Sequence, residues 1–263
     1  MTLGTASTKE PPYNDRVSLG QVSGVTIVHK YGHNHSLPVG YVPVCAGGFW
    51  PTPQVSGATP LRLAAGGDAA DTAAGTGARE ITIYGLDATG AEIFDVLATN
   101  GALASLATPQ SFLRIIRVKI TKSGTYGTSS VASHVGDITI ENSAGGTNWA
   151  IIPIIGFPHG SSQIGVFTVP LGKVAYITQI SYDVDSGKTV DLRLLKRENI
   201  LETAPPYSAV ETVREIIGIS GGNSIYFDDP LGPFPALTDV GFMAQGAVTP
   251  AASVDFTIKL YDV

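Results

Sequence analysis

The stretch from Ala78 to Thr99, AREITIYGLDATGAEIFDVLAT, sets a pattern that recurs to the end of the chain. Ile81 and Ile83 alternate with Glu80 and Thr82, the period of two that lays one face of a strand on a core and the other toward solvent. Alternation stops at Gly85, and Asp87-Ala88-Thr89-Gly90 supplies turn chemistry, with an Asp that bonds its own backbone and a Gly free to take positive φ. A second arm runs from Glu92 to Thr99. Its Ile93, Phe94, Val96 and Leu97 fill both strand faces, which predicts an antiparallel hairpin whose second arm is covered on two sides.

Similar patterns follow. A short strand is predicted at Leu61 to Leu63, and in SFLRIIRVKITKSG the residues Ile116, Val118 and Ile120 oppose Arg117, Lys119 and Thr121. DITIENSAGGTNW adds a strand and a loop, and an apolar stretch from Trp149 to Ile155 is interrupted by Pro153. After Gly156, Pro158 and Gly160, the run IGVFTVPLGKVAYITQISYDVDSGKTVDLRLLKRE predicts three strands in a meander, turning at Pro170 to Lys173 and Asp185 to Lys188. Strands are also predicted near Val210 to Ile217, Ser224 to Phe227 and Asp239 to Ala244. The last run, SVDFTIKLYDV, sets Val254, Phe256, Ile258 and Leu260 against Asp255, Thr257, Lys259 and Tyr261. The fold class expected is all-β: two antiparallel β-sandwich or jelly-roll-like domains, over residues 61–155 and 162–263. Residues 1–60, broken by Pro11, Pro12, Pro38, Pro43, Pro51, Pro53 and Pro60, read as an extended N-terminal arm.

Composition narrows the function classes. Of 263 residues 43% are hydrophobic and only 14% charged, against roughly 25% charged in an average soluble domain, and 31 Gly and 17 Pro suit short strands with tight turns. A formal charge of -6 opposes a surface that neutralises phosphates, so no direct nucleic-acid partner is expected. Cys45 is the single cysteine, which excludes an intrachain disulfide framework and a thiolate metal cluster. MTLGTASTKE has neither the basic start nor the apolar run of a signal peptide, and no stretch of about 18 apolar residues is present. The expectation is a soluble chain, made in a cytoplasm, with no membrane partner.

Several clusters carry candidate chemistry. His29, His33 and His35 lie close enough in sequence to meet at a metal, but no carboxylate or Cys accompanies them, and polar loop histidines or inter-subunit hydrogen bonds account for them better. Gly218-Ile219-Ser220-Gly221-Gly222 matches the nucleophile elbow G-x-S-x-G, yet a strand rather than a helix is predicted to follow and no His comes after Ser220. Asp183-Val184-Asp185-Ser186-Gly187 starts like a calcium loop without its later ligands, so a hairpin turn is the better account, and Asp228-Asp229 beside Pro230 reads as loop. Arg114, Arg117 and Lys119 form a basic stripe suited to a partner's carboxylates. Trp50, Trp149, Tyr207 and Tyr226 are the aromatics that could stack on a host glycan, although core or interface packing is the commoner use of such rings.

The phrases HKYGHNHS, TPQVSGATPLRLAAGGDAADTAAGTGAREITIYGLD, SFLRIIRVKITKSGTYG, GDITIENSAGGTNWA, IGVFTVPLGKVAYI, LKRENILETAPPYSAV and FPALTDVGFMAQG, in this order, resemble a family of virion structural proteins of tailed bacteriophages, especially short-tailed phages of marine bacteria. The resemblance runs from about His29 to the C-terminus. It implies an oligomeric, non-enzymatic particle component, without cofactor or catalytic residues, located in the virion. Within that class the expectation is a capsid decoration or cement protein anchored by its arm. It would self-associate, with a trimer favoured, and contact the major capsid protein or neck and tail proteins. A neck, tail or fibre-attachment protein and a carbohydrate-binding host-recognition module are the alternatives.

Overall fold

Sixteen strands and little helix make up the described residues of the computed structural model, 10–50, 55–125, 133–154 and 159–263. Pro12 precedes a short helix, α1 (Tyr13–Ser18). The strands follow as β1 (Val25–Asn34), β2 (Val42–Pro43), β3 (Thr59–Leu63), β4 (Ala78–Leu86), β5 (Glu92–Ala98), β6 (Ser111–Phe112), β7 (Arg114–Ser123), β8 (Ile138–Asn142) and β9 (Asn148–Ile152). Then come β10 (Val166–Thr168), β11 (Lys173–Val184), β12 (Val190–Arg197), β13 (Val210–Ile219), β14 (Asn223–Phe234), β15 (Asp239–Gln245) and β16 (Ala252–Asp262). The protein is all-β with antiparallel sheets, and no helix among the described residues is long and apolar enough to cross a membrane.

Two sheets, ordered β1-β16-β11-β14 and β10-β15-β12-β13, enclose one core that includes Phe242, Phe256, Ile180, Leu192 and Leu194. Leaving β2 aside, the first of these strands in sequence pairs with the last (β1 with β16), the second with the seventh (β10 with β15), the third with the sixth (β11 with β14) and the fourth with the fifth (β12 with β13). An antiparallel ribbon folded in half and wrapped into two facing sheets gives this pairing, which is a jelly roll. The predicted meander is therefore corrected: the turns at Pro170 and at Asp185 carry the chain from one sheet to the other. Turn residues satisfy the local backbone identically in both cases, so local sequence does not separate them.

The expected arm is corrected too. Val25–Asn34 is a ten-residue strand paired along its whole length with β16, and Val42–Pro43 pairs with Met243 and Ala244 of β15. β10 pairs with the continuation of the same strand, Val166 with Gly241 through Thr168 with Asp239. β2 and β10 thus lie end to end along one edge of β15, two halves of a single strand of the roll. At the break the two crossing segments pair with each other: Cys45 bridges Ile164, and the Ala46 N–H donates to the Gln163 carbonyl at 2.9 Å. Residues 46–163 leave and re-enter the roll through this neck.

The inserted segment makes its own sandwich, from the sheets β6-β3-β8-β9 and β5-β4-β7, over a core of Leu61, Ile81, Ile83, Phe112, Val118, Ile140 and Trp149. The hairpin β4–β5 pairs Glu80 with Ala98 through Leu86 with Glu92 around the Asp87 turn, where Asp87 Oδ1 accepts the N–H groups of Thr89 and Ala91. Its second arm is covered on one side only. Phe94 is 60% exposed and Val96 is also exposed, because β5 is an edge strand. A register shift in β7 opposite Tyr84 and Gly85 brings Ile115 as well as Val118 into the core, leaving Ile116 half-buried off that face. The expected boundary at Gly156 and Pro158, and Pro51 and Pro53 of the expected arm, lie outside the described residues.

Candidate functional site

β1 is an edge strand of its sheet, and the sheet β5-β4-β7 of the insert lies beside it, joined by the hydrogen bond from Lys30 Nζ to the Ile116 carbonyl. A fully buried ion pair fixes this docking: Arg114 Nη2 of β7 donates to Asp239 Oδ2 of β15 at 3.0 Å, and Thr168 Oγ1 donates to Oδ1 of the same carboxylate at 2.6 Å. Around it Leu86 and Leu113 of the insert pack on Ile200 of the roll. At the hairpin turn, the Gly90 carbonyl accepts the Leu171 N–H at 2.8 Å; a Cβ at Gly90 would lie 2.1 Å from the Leu237 side chain.

Beside this contact a cavity of about 600 Å³ opens between roll and insert. The alternation of β1 explains its lining. Val28, Lys30 and Gly32 sit opposite Ile258, Phe256 and Val254, whose side chains fill the core of the roll, so Lys30 points inward where an apolar residue is the rule. His29, Tyr31 and His33 lie on the outer face opposite Thr257, Asp255 and Ser253. Lys30 is 7% exposed, and its ammonium donates to the Ile116 carbonyl at 2.6 Å. Burial brings its pKa down to about 7, and the Arg117 guanidinium adds a little to the fall. Burial pushes the Cys45 thiol up to about 12, so it stays protonated. Across the cavity stand Arg117 and Lys119 of β7, Tyr84 and Phe94 of the hairpin, and Glu92; Asp255 comes from the roll. The Tyr84 and Phe94 rings are 6.0 Å apart, and Lys119 Nζ lies 5.1 Å from the Tyr84 ring centre.

The basic stripe is therefore split. Arg117 and Lys119 line the cavity, whereas Arg114 is consumed in the buried pair with Asp239, which corrects its expected role toward a partner's carboxylates. The histidines also separate. His33 and His35 have ring centres 4.0 Å apart and His35 lies 6.2 Å from His159, but His29 bonds Thr257 Oγ1 at 3.2 Å, four residues or roughly 13 Å along the strand from His33. Among the described residues no group of three or more His, Cys, Asp or Glu side chains is arranged to hold a metal ion. Desolvation first, then the neighbouring His35 and His159, push the His33 pKa down to about 4.

Of the aromatics, Trp149 is buried in the core of the insert and presents no face to a glycan, and Trp50 is half-buried against that same core. Tyr207 lies beside Arg197, with the guanidinium 5.6 Å from its ring centre. Tyr226, 73% exposed on β14, remains free on the surface. Ser220 sits in the turn between β13 and β14, with a strand following it, so the elbow context is missing. Asp183 lies at the end of β11 and Asp185 in the turn that follows, where its Oδ2 accepts the Ala251 N–H. Asp228 and Asp229 lie inside β14 rather than in a loop. They fall where its pairing with β11 jumps from Tyr226 opposite Gln179 to Leu231 opposite Ile177. Sequence reading missed Lys30, Tyr84, Phe94 and Asp239. A lysine at an inward position of an alternating strand was the available signal for Lys30, hidden because β1 had been read as arm.

The fold class is thus a jelly roll that carries a second sandwich in one of its strands. Neither a protein-family profile nor a curated protein sequence matches the chain. Among solved structures it is similar to infectious bursal virus derived T=1 particles, with 9% identity over 91% of this chain and 74% of that chain and a TM-score of 0.21. It is also similar to infectious bursal disease virus Gx strain, with 9% identity over 100% of this chain and 83% of that chain and a TM-score of 0.18. Likenesses of this size carry no argument about fold or function.

Proposed function

We propose that this chain is a non-enzymatic structural component of a virus particle, a capsid decoration or cement protein of a tailed phage that works as a homo-oligomer. The observation that supports it best is the pairing of first strand with last through fourth with fifth, since the jelly roll is a recurrent architecture of capsid proteins. That warrant is analogy of fold, because one architecture hosts many functions. The sequence resemblance to phage virion proteins points the same way. Association is served by the edge strands β13 and β14, where Val210, Ile217 and Tyr226 expose apolar surface beside unpaired strand edges. With β1 taken into the roll, anchoring falls to these edges and to the residues before Val25.

Quantitative mass spectrometry of purified particles of the virus that encodes the chain tests this. Copies in the hundreds relative to the major capsid protein are expected for a shell component. About a dozen copies would move the chain to a symmetric neck or tail ring. Absence from washed particles would overturn the reading.

A further inference from the structure

We propose that the cavity between the roll and the inserted sandwich is a binding site for a carboxylate-bearing saccharide, with Lys30, Arg117 and Lys119 receiving the carboxylate and the Tyr84–Phe94 wall receiving a sugar face. The proposal goes beyond the particle reading and does not depend on it.

Three observations carry it. The first is an unusual cation. Lys30 has its ammonium in the wall of a cavity with a single carbonyl acceptor at 2.6 Å, although an ammonium has three donors to place. An interior amine held this way gains from any anion that reaches it. The second is the pair Arg117 and Lys119 on the facing wall. Neither makes an ion pair among the described residues, and Lys119 is held over Tyr84 rather than by a carboxylate. Lys30, Arg117 and Lys119 against Glu92 and Asp255 leave this opening with an excess of cations in a protein of net charge -6.

The third observation selects the ligand. Glu92 and Asp255 line the same cavity. They would repel an acidic peptide or a polyphosphate, but they accept hydrogen bonds from hydroxyl groups, which a saccharide carries on every ring. Phe94 offers an exposed ring beside Tyr84, a surface on which the apolar face of a pyranose packs. The volume of about 600 Å³ falls within the range of small-molecule sites and accommodates two or three sugar rings. The site is assembled from β1, β4, β5, β7 and β16, so it exists only while the insert is docked on the roll.

Calorimetric titration of the full chain with a glucuronyl-galactose disaccharide and with sialyllactose, each carrying one carboxylate and each beside its carboxyl-reduced counterpart, is the test. At least one acidic probe is expected to saturate with a Kd below about 1 mM, and its reduced counterpart to bind at least about tenfold more weakly. Arg117→Ala and Lys119→Ala, both changes at the cavity rim, are each expected to weaken binding by about tenfold or more without altering the unfolding midpoint. Phe94→Ala is expected to weaken the acidic and reduced probes alike. Affinity is expected to fall between about pH 6 and pH 8 in the native chain and to fall less in Lys30→Met, with His29, Tyr31, Tyr84, Glu92, Arg117, Lys119 and Asp255 as the other titratable groups lining the cavity and His29→Gln as the control. Absence of saturable binding by either acidic probe up to about 10 mM, or binding unchanged by both rim substitutions, would overturn the proposal. So would a hexaglutamate peptide that competes as tightly as the saccharide.

Discussion

At the scale of single residues, two of the buried cations have opposite fates. Arg114 meets a carboxylate, whereas Lys30 donates to a carbonyl and burial lowers its pKa. An unfolded Lys30 holds its proton up to about 10.5, and the native one releases it near 7. Between those values the unfolded chain binds more protons, so native stability rises with pH across this window, by at most about 1.4 kcal/mol per pH unit. Urea titrations at a series of pH values are expected to show that rise, and Lys30→Met is expected to lack it; equal slopes in the two proteins would show that Lys30 is solvated. For Arg114 the expectation concerns pairing. Arg114→Met takes the guanidinium from the buried Asp239 carboxylate while Thr168 still donates to it, at a cost of about 3–5 kcal/mol, and Arg114→Met with Asp239→Leu recovers much of that loss. A double variant no more stable than the single one in the same urea assay would refute this. Arg114 was legible in the sequence as a cation but not as a buried one, because its partner lies 125 residues away and neither residue's local pattern announces the other.

At the scale of elements, the broken strand made from β2 and β10 imposes the tightest constraint. Where its halves meet, β1 passes so close that a Cβ on Gly32 would lie 2.2 Å from the Val44 carbonyl oxygen and 2.3 Å from the Gly165 Cα. Backbone atoms on both sides cannot yield as a side chain would. Gly32→Ala is therefore expected to destabilise at or above the top of the range of about 1–3 kcal/mol typical of overpacking, read as a drop in the midpoint of thermal unfolding. A change within error would mean that β1 can move away from the neck. Elements themselves were the most legible part of the sequence. Period-two alternation located β4, β7 and β16, because each of these strands buries one face, and the Asp87 to Gly90 turn located the hairpin. Pairing partners were not legible. The turn at Asp185 looks like a hairpin turn and joins strands of different sheets, and the apolar residues of β5 looked doubly covered although β5 ends its sheet.

At the scale of the whole molecule, what escaped sequence reading is the insertion. Proline density in the first sixty residues hid a strand whose partner is the last in the chain, and a segment that completes a strand begun some 120 positions earlier leaves no local trace. The neck makes a direct test available, since Cys45 and Ile164 face each other as an antiparallel pair, with Cα atoms only about 5 Å apart. Replacing residues 46–163 by a two-residue Asn-Gly turn, which suits such a pair, is expected to leave a roll with a β-type circular dichroism spectrum and one cooperative thermal transition. That transition should come at a lower temperature than in the full chain. Ile164 and Val166 lose their place in the core of the insert, Ile200 loses Leu86 and Leu113, and Asp239 loses Arg114. Adding Asp239→Asn to the shortened chain should restore part of the loss, because an amide keeps the Thr168 hydrogen bond without a charge that has lost its guanidinium. If the shortened chain shows no cooperative transition, with or without Asp239→Asn, roll and insert form one folding unit. The cavity between them would then be a permanent feature of the native state rather than a contact that two independent modules make and release.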